Sequence, residues 1–302
     1  MKVVRPVVIT DTMLISSSVA EDDYAAWAGG TTYAVGDRVI RAHIVWESLA
    51  ASNIGHDPSA NPVNGSGVPY WLEVSSTNRW RMFDATVNSQ TTASGEVVVE
   101  LQPGAINAVG AIELEGSTIR VQLFDGATLV YDRIQNIDNT PIDDWYDYFF
   151  EPRDPAASVL FEGVPSYMAG RVVITIANPS GGAVACGGVV LGAVHELGGL
   201  QPGATSGITD YSRKTTNDFG VTSIVERPFS KRSSMRLWLT TAEVRRTYGL
   251  LSGLRATPSL WVGDEDTFTY APLVIYGYFR DFQIEIPGPV ISYCSIEIEG
   301  MI

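Results

Sequence analysis

The stretch "IRVQLFDGATLVYDRI", residues 119–134, sets apolar side chains at alternate positions, breaks at Gly126 and resumes as a second apolar run. A period of two is what a half-buried strand requires, because successive side chains leave a strand on opposite faces. The signature recurs on both sides. Upstream lie "VVVEL" (97–101) and "AIELEG" (111–116). Downstream come "RVVITIANP" (171–179), "VVLGAV" (189–194), "SIVERPF" (223–229), "MRLWLT" (235–240), "LVIYGYF" (273–279), "DFQIEIP" (281–287) and "SIEIEG" (295–300). Short strands separated by Gly, Pro or Asn predict sandwiches or barrels. The expected fold class is mainly β, built from jelly-roll-like β-sandwich domains.

One segment follows a different period. "TTAEVRRTYGLLSGLR" opens with Thr240 and Glu243 at capping-box spacing. Val244, Tyr248, Leu251 and Leu254 then recur at near-helical spacing, with Arg245 and Arg246 directed elsewhere, and Pro258 stops continuation past Thr257. This predicts one amphipathic helix packed on the C-terminal sandwich.

A chain of 302 residues, 45% hydrophobic and 18% charged, has ample material for a core and is long enough for about two or three domains. No apolar run approaches the roughly 20 residues needed to cross a bilayer, so no membrane insertion is expected. The opening "MKVVRPVVIT" lacks the apolar centre and cleavage site of a signal peptide, which predicts folding in the cytoplasm. A net charge of −14 argues against nucleic-acid binding, which needs a basic footprint. Cys186 and Cys294 stand in strand-like surroundings and read as buried free thiols.

Turn-rich stretches set the expected divisions. Asn64 to Pro69 and "SSTNRW" (75–80) close an N-terminal arm with a small aromatic module (1–76). The Gly/Thr/Asn-rich run at 196–220 then separates a β-domain (77–200) from a C-terminal β-domain with the helix (201–302). The arm has two readings: a strand added to a neighbour's sheet edge, or one paired within its own subunit.

Motifs for chemistry are scarce. "HELGG" (195–199) begins like a zinc-protease signature, but Gly199 stands where the second His is required. "SGGAVACGGVV" (180–190) has no Lys-Ser/Thr to grip a phosphate, and its glycines read as turns and close sheet packing. The acidic run at 137–154 offers Asp143, Asp144, Asp147, Glu151 and Asp154 as a glycosidase pair or calcium ligands, and Trp145, Tyr146, Tyr148, Phe149 and Phe150 as an aromatic plug. The plug on an acidic surface is the preferred reading. Arg227, Lys231, Arg232 and Arg236, with Arg245 and Arg246, form either a solvated strand face or a complement to an acidic neighbour. No catalytic residue, metal site or cofactor is expected, and no enzymatic activity.

Residues 24–76 carry the strongest binding signal. Trp27, Tyr33, Trp46, Tyr70 and Trp71 supply flat apolar rings of the kind that stack on sugars, and Asp37, Asn53 and Asp57 supply polar partners. In so short a module some rings must also form the core. Tyr33 and Trp46 are assigned to that role, and Trp27, Tyr70 and Trp71 to an exposed platform. The order Trp27, Tyr33, Gly36-Asp37-Arg38-Val39, Trp46, Gly55-His56-Asp57-Pro58, Trp71 resembles the small chitin- and cellulose-binding modules of bacterial chitinases. Two departures stand out: the run "RAHI" (41–44) replaces the usual Gly of the second strand turn, and the linker before Trp71 is long. The resemblance implies glycan contact through the five aromatics.

A second resemblance covers most of the chain. "MKVVRPVVITDTMLISSSVAEDDYAAW", "TDYSRKTTNDFGVTSIVERPFSKR", "LRATPSLWVGDED" and "IYGYFRDFQIEIPGPVISYCSIEIEGMI" resemble tail-tip and baseplate-associated structural proteins of tailed bacteriophages. That implies an all-β sandwich fold, a virion (tail) location and assembly with other tail proteins. It also implies a homo-oligomer, trimeric or six-fold, and host-surface polysaccharide as a further partner. The competing expectations are a secreted or surface glycan-binding protein outside a virion and, behind it, a polysaccharide-degrading enzyme using the 143–154 carboxylates.

Overall fold

A computed structural model describes residues 1–60, 62–137, 144–146, 158–216, 218–264 and 271–301. The protein is mainly β. The alternation read from residues 119–134 is the organising feature of a five-stranded antiparallel sheet, ordered β10 (Thr128–Asn136), β9 (Thr118–Asp125), β12 (Arg171–Ala177), β7 (Glu96–Leu101), β2 (Leu14–Ser17). Val97, Val99, Ile119, Val121, Val172, Ile174 and Ile176 are each 0% exposed. Burying one such side chain contributes about 1.5–3 kcal/mol before entropy is counted.

These side chains face an eleven-stranded sheet. Its order is β11 (Ser158–Glu162), β8 (Ala108–Glu115), β13 (Ala183–Glu196), β1 (Lys2–Pro6), β19 (Ser259–Val262), β20 (Val274–Glu285), β21 (Ile291–Gly300), β18 (Phe229–Thr240), β14 (Gly199–Leu200), with β6 (Thr91–Ser94) beside β13 and β15 (Thr205–Asp210) beside β18. Val109, Leu114, Phe161, Val184, Cys186 and Leu191 of the large sheet meet the smaller sheet in one core, which makes this half a β-sandwich. β16 (Arg213–Thr216) and β17 (Thr222–Val225) form a separate hairpin.

The large sheet is continuous across residue 200, and β1 joins its two halves. β1 pairs antiparallel with β13 on one side and β19 on the other. Val3 and Val4, both 0% exposed, enter separate cores. The arm is therefore an internal strand of its own subunit and is not available as a strand for a neighbour. Pro6 is tolerated there because it is the last residue of β1.

The helix, α1 (Thr241–Gly253), begins where the capping box places it. The Glu243 carboxylate accepts the Thr240 N–H and hydroxyl, each at 2.8 Å. Leu251 and Leu254 are buried with Leu237, Leu239, Cys294 and Ile296 in the C-terminal core. Tyr248 departs from the expected face. It is 59% exposed, its ring edge meeting Phe282 at 5.9 Å, while Thr247 is buried. The inward stripe runs 244, 247, 251, 254, and Tyr248 lies just outside it.

The aromatic module is a third, smaller sheet, β3 (Arg38–Arg41), β4 (Ile44–Ser48) and β5 (Trp71–Ser76), inserted between β2 and β6. It has its own core of Tyr33, Val39, Trp46 and Trp71.

Candidate functional site

The module's five aromatics divide into a core and a surface. Tyr33, 9% exposed, accepts the Ala28 N–H at its hydroxyl (2.8 Å) and meets Trp71 edge-on at 5.3 Å. Trp46, 7% exposed, donates its Nε1–H to the Arg41 carbonyl. Trp71, expected in the platform, is 1% exposed and donates its Nε1–H to the His56 carbonyl at 2.8 Å. A ring closed off from solvent cannot receive a sugar, so Trp71 belongs with Tyr33 and Trp46.

Trp27 and Tyr70 are half-buried and lie at the margin of this core. Each is backed by a fixed polar group. The Arg41 guanidinium lies 5.1 Å from the Trp27 ring centroid, a cation–π distance. Arg41 is itself gripped by Asp57 in a two-point pair, Nε to Oδ1 at 3.2 Å and Nη2 to Oδ2 at 2.7 Å. The Ser59 hydroxyl first and the Arg41 guanidinium second hold the Asp57 carboxyl below its ordinary pKa. On the other ring, His56 stacks on Tyr70 at 3.6 Å with the planes 12° apart. His56 Nδ1 is 2.8 Å from Asn53 Oδ1, and the buried Asn53 donates to Ser48 Oγ and the Tyr70 carbonyl.

The two assemblies, Trp27–Arg41–Asp57 and Tyr70–His56–Asn53, meet through the consecutive residues His56 and Asp57. Each ring is flanked by polar groups held by neighbours: a guanidinium paired with a carboxylate at Trp27, and an imidazole at Tyr70. Such a surface suits a ligand with C–H faces and hydroxyls. Asp37 serves differently: its carboxylate accepts the Ala34 N–H at 2.7 Å and shapes the turn at Gly36, whose φ is +89°. Arg41 and His56 were the residues that the aromatic pattern did not single out. Their signal lay inside the quoted runs "RAHI" and Gly55-His56-Asp57-Pro58.

The other sequence candidates are placed as follows. His195 of "HELGG" lies on β13 opposite Val3, where burial and then Arg246 and Arg5 lower its pKa. Among the described residues no group of three or more His, Cys, Asp or Glu is gathered to hold a metal ion. Asp144 accepts the Tyr146 N–H at 2.7 Å. Asp143, Asp147, Glu151 and Asp154, with Tyr148, Phe149 and Phe150, lie outside the described residues. Of the basic group, Lys231 pairs with Glu113 at 2.9 Å and Arg236 with Glu285 at 3.1 Å, within the subunit. Lys231 and Glu113 also line a cleft of about 520 Å³ with Phe229 and Tyr276. There the two charges answer each other, so this cleft is a weaker ligand site than the module surface. Cys186 and Cys294 are free and buried, and burial pushes their pKa values up to about 12 and about 11.

No protein-family model matches the chain, and no curated protein matches it. Among the described residues no helix is long and apolar enough to cross a membrane.

Proposed function

We propose that this chain is a structural component of the tail tip or baseplate of a tailed bacteriophage, and that its inserted module contacts host-surface glycan through Trp27 and Tyr70. The glycan reading rests on one observation: two half-buried rings, each backed on one side by a fixed polar group, on a module with its own core. The tail reading rests on the four ordered phrases that resemble tail-tip proteins. It is in keeping with sheets that end, among the described residues, on strands paired along one side only, β11 and β10. Such edges suit assembly with other tail proteins and with further copies of the chain.

Retention on envelope polysaccharide tests the glycan reading. Trp27→Ala and Tyr70→Ala should each lower retention about 5- to 150-fold, taking the about 1–3 kcal/mol of a ring stacked on a nucleic-acid base as the scale, while amide exchange in β3–β5 stays near wild type. Equal retention by wild type and both variants contradicts glycan contact at this surface. A secreted glycan-binding protein outside a virion would use the same rings, and only the location of the chain separates the two.

A further inference from the structure

The run "RAHI", which stands where a glycine was expected, forms the turn between β3 and β4. Arg41 pairs with Ile44, leaving Ala42 and His43 as a two-residue loop. Their φ values are +52° and +65°. Two-residue hairpin turns of this kind ordinarily carry Asn-Gly or Asp-Gly, because side chains with a Cβ are disfavoured at positive φ. A strained turn persists only where its surroundings hold it.

What holds it is the body of the protein. His43 Nδ1 lies 2.8 Å from Glu21 Oε1 and His43 Nε2 lies 2.7 Å from Asp11 Oδ1. Asp11 is on the loop between β1 and β2, and Glu21 is on the segment that leads from β2 into the module. The His43 carbonyl accepts the Thr77 N–H at 2.8 Å, where the chain leaves the module. The imidazole also lies against the Trp80 ring, centroid to centroid 4.4 Å. The remaining charged and polar groups around the cluster are bound to its carboxylates: Thr77 Oγ1 donates to Glu21 at 2.9 Å, and Arg79 lies 3.9 Å from the same carboxylate. Beside them Arg81 lies 3.7 Å from Asp23.

Both partners of the ring are carboxylates, which only accept hydrogen bonds when ionised. Both bonds therefore require two N–H donors, and only the imidazolium has two. A neutral His43 can keep one bond and must leave the other nitrogen facing a carboxylate lone pair.

We propose that His43 is a protonation-dependent latch that fastens the inserted module to the body through Asp11 and Glu21. The latch is independent of what the module binds. Partial burial by itself lowers the His43 pKa, but the hydrogen bonds and charges of Glu21 and Asp11 outweigh it and raise the value above the ordinary 6.5. A raised folded-state pKa means that the fastening is complete below the unfolded-state value and is lost as pH rises through the folded-state value. The latch is closed on the acid side of the His43 titration and opens on its alkaline side.

The test is a distance distribution between spin labels on the full chain at Ser66→Cys, in an exposed module turn, and Ala127→Cys, in the exposed β9–β10 turn of the body. The native cysteines are buried and stay unlabelled. A scan from about pH 6 to about pH 9, bracketing the ordinary histidine range, should turn a single narrow distribution into a broad one, with its midpoint at the His43 titration followed by NMR. Asp11→Asn should move that midpoint to lower pH. The pair Ala42→Asn with His43→Gly builds the favoured turn without the imidazole, so the hairpin folds while the latch is absent. Its distribution should be broad at every pH. A narrow, pH-independent wild-type distribution overturns the latch, and so does a wild-type-like distribution in the Asn-Gly pair.

Discussion

Tyr70 and Trp71 are consecutive residues with opposite environments. Tyr70 keeps one ring face against His56 and remains half-buried, whereas Trp71 turns into the module core at 1% exposure. Trp71→Ala should therefore act on stability. It removes one of the two tryptophans of a four-residue core and orphans the His56 carbonyl, a loss of about 3–5 kcal/mol for a buried Trp. Amide exchange at Val39 and Val45 measures it, and exchange unchanged from wild type contradicts the assignment. That the module uses aromatics was legible in the sequence, and so were Tyr33 and Trp46 as core. Which of the remaining three face outward was not. In so small a unit the rings that bind and the rings that pack are the same residue types, and only the folded module separates them. Arg41 and His56 were hidden for a related reason, since their partners Asp57 and Tyr70 come close only when the sheet forms.

Strand alternation and the Thr240–Glu243 box made most elements legible, because each depends on a local period or a local hydrogen bond. The role of β1 did not follow from its residues: "KVVRP" is short, with two valines set between Lys2 and Arg5, and such a run reads alike as an edge or a central strand. Its position is enforced by contact, and β13 shows how. A Cβ on Gly192 would lie 1.8 Å from the Arg5 carbonyl oxygen, so glycine there is what lets β1 approach β13. Gly192→Ala should destabilise the protein by roughly 1–3 kcal/mol or more, as forced overpacking against backbone does. The expected readout is a lower denaturation midpoint with faster exchange in β1 and β19. A midpoint equal to wild type contradicts the view that β1 is locked in place by this contact. The same reading explains why the Gly-rich run at 180–190 is structural: its glycines are strand residues of β13 or the turn before it.

At the scale of the molecule, one continuous sheet runs through the body, and the module is an insertion between β2 and β6 whose hairpin tip contacts the body through His43. The proposed division of labour suits a particle component: a body whose sheets are proposed to assemble with neighbours, and a small module proposed to bind through Trp27 and Tyr70 and to be fastened through His43. Composition pointed to a well-packed acidic globular chain and strand alternation to a β fold, but neither could go further, because assembly partners and ligands are recognised by surfaces that no local sequence period encodes. The most direct test of the virion reading is electron microscopy of particles from the producing strain, labelled with an antibody against this chain. The reading predicts label at the distal end of the tail. Particles without label, with the chain recovered free or at the cell surface, would contradict it and leave the aromatic module as the protein's principal function.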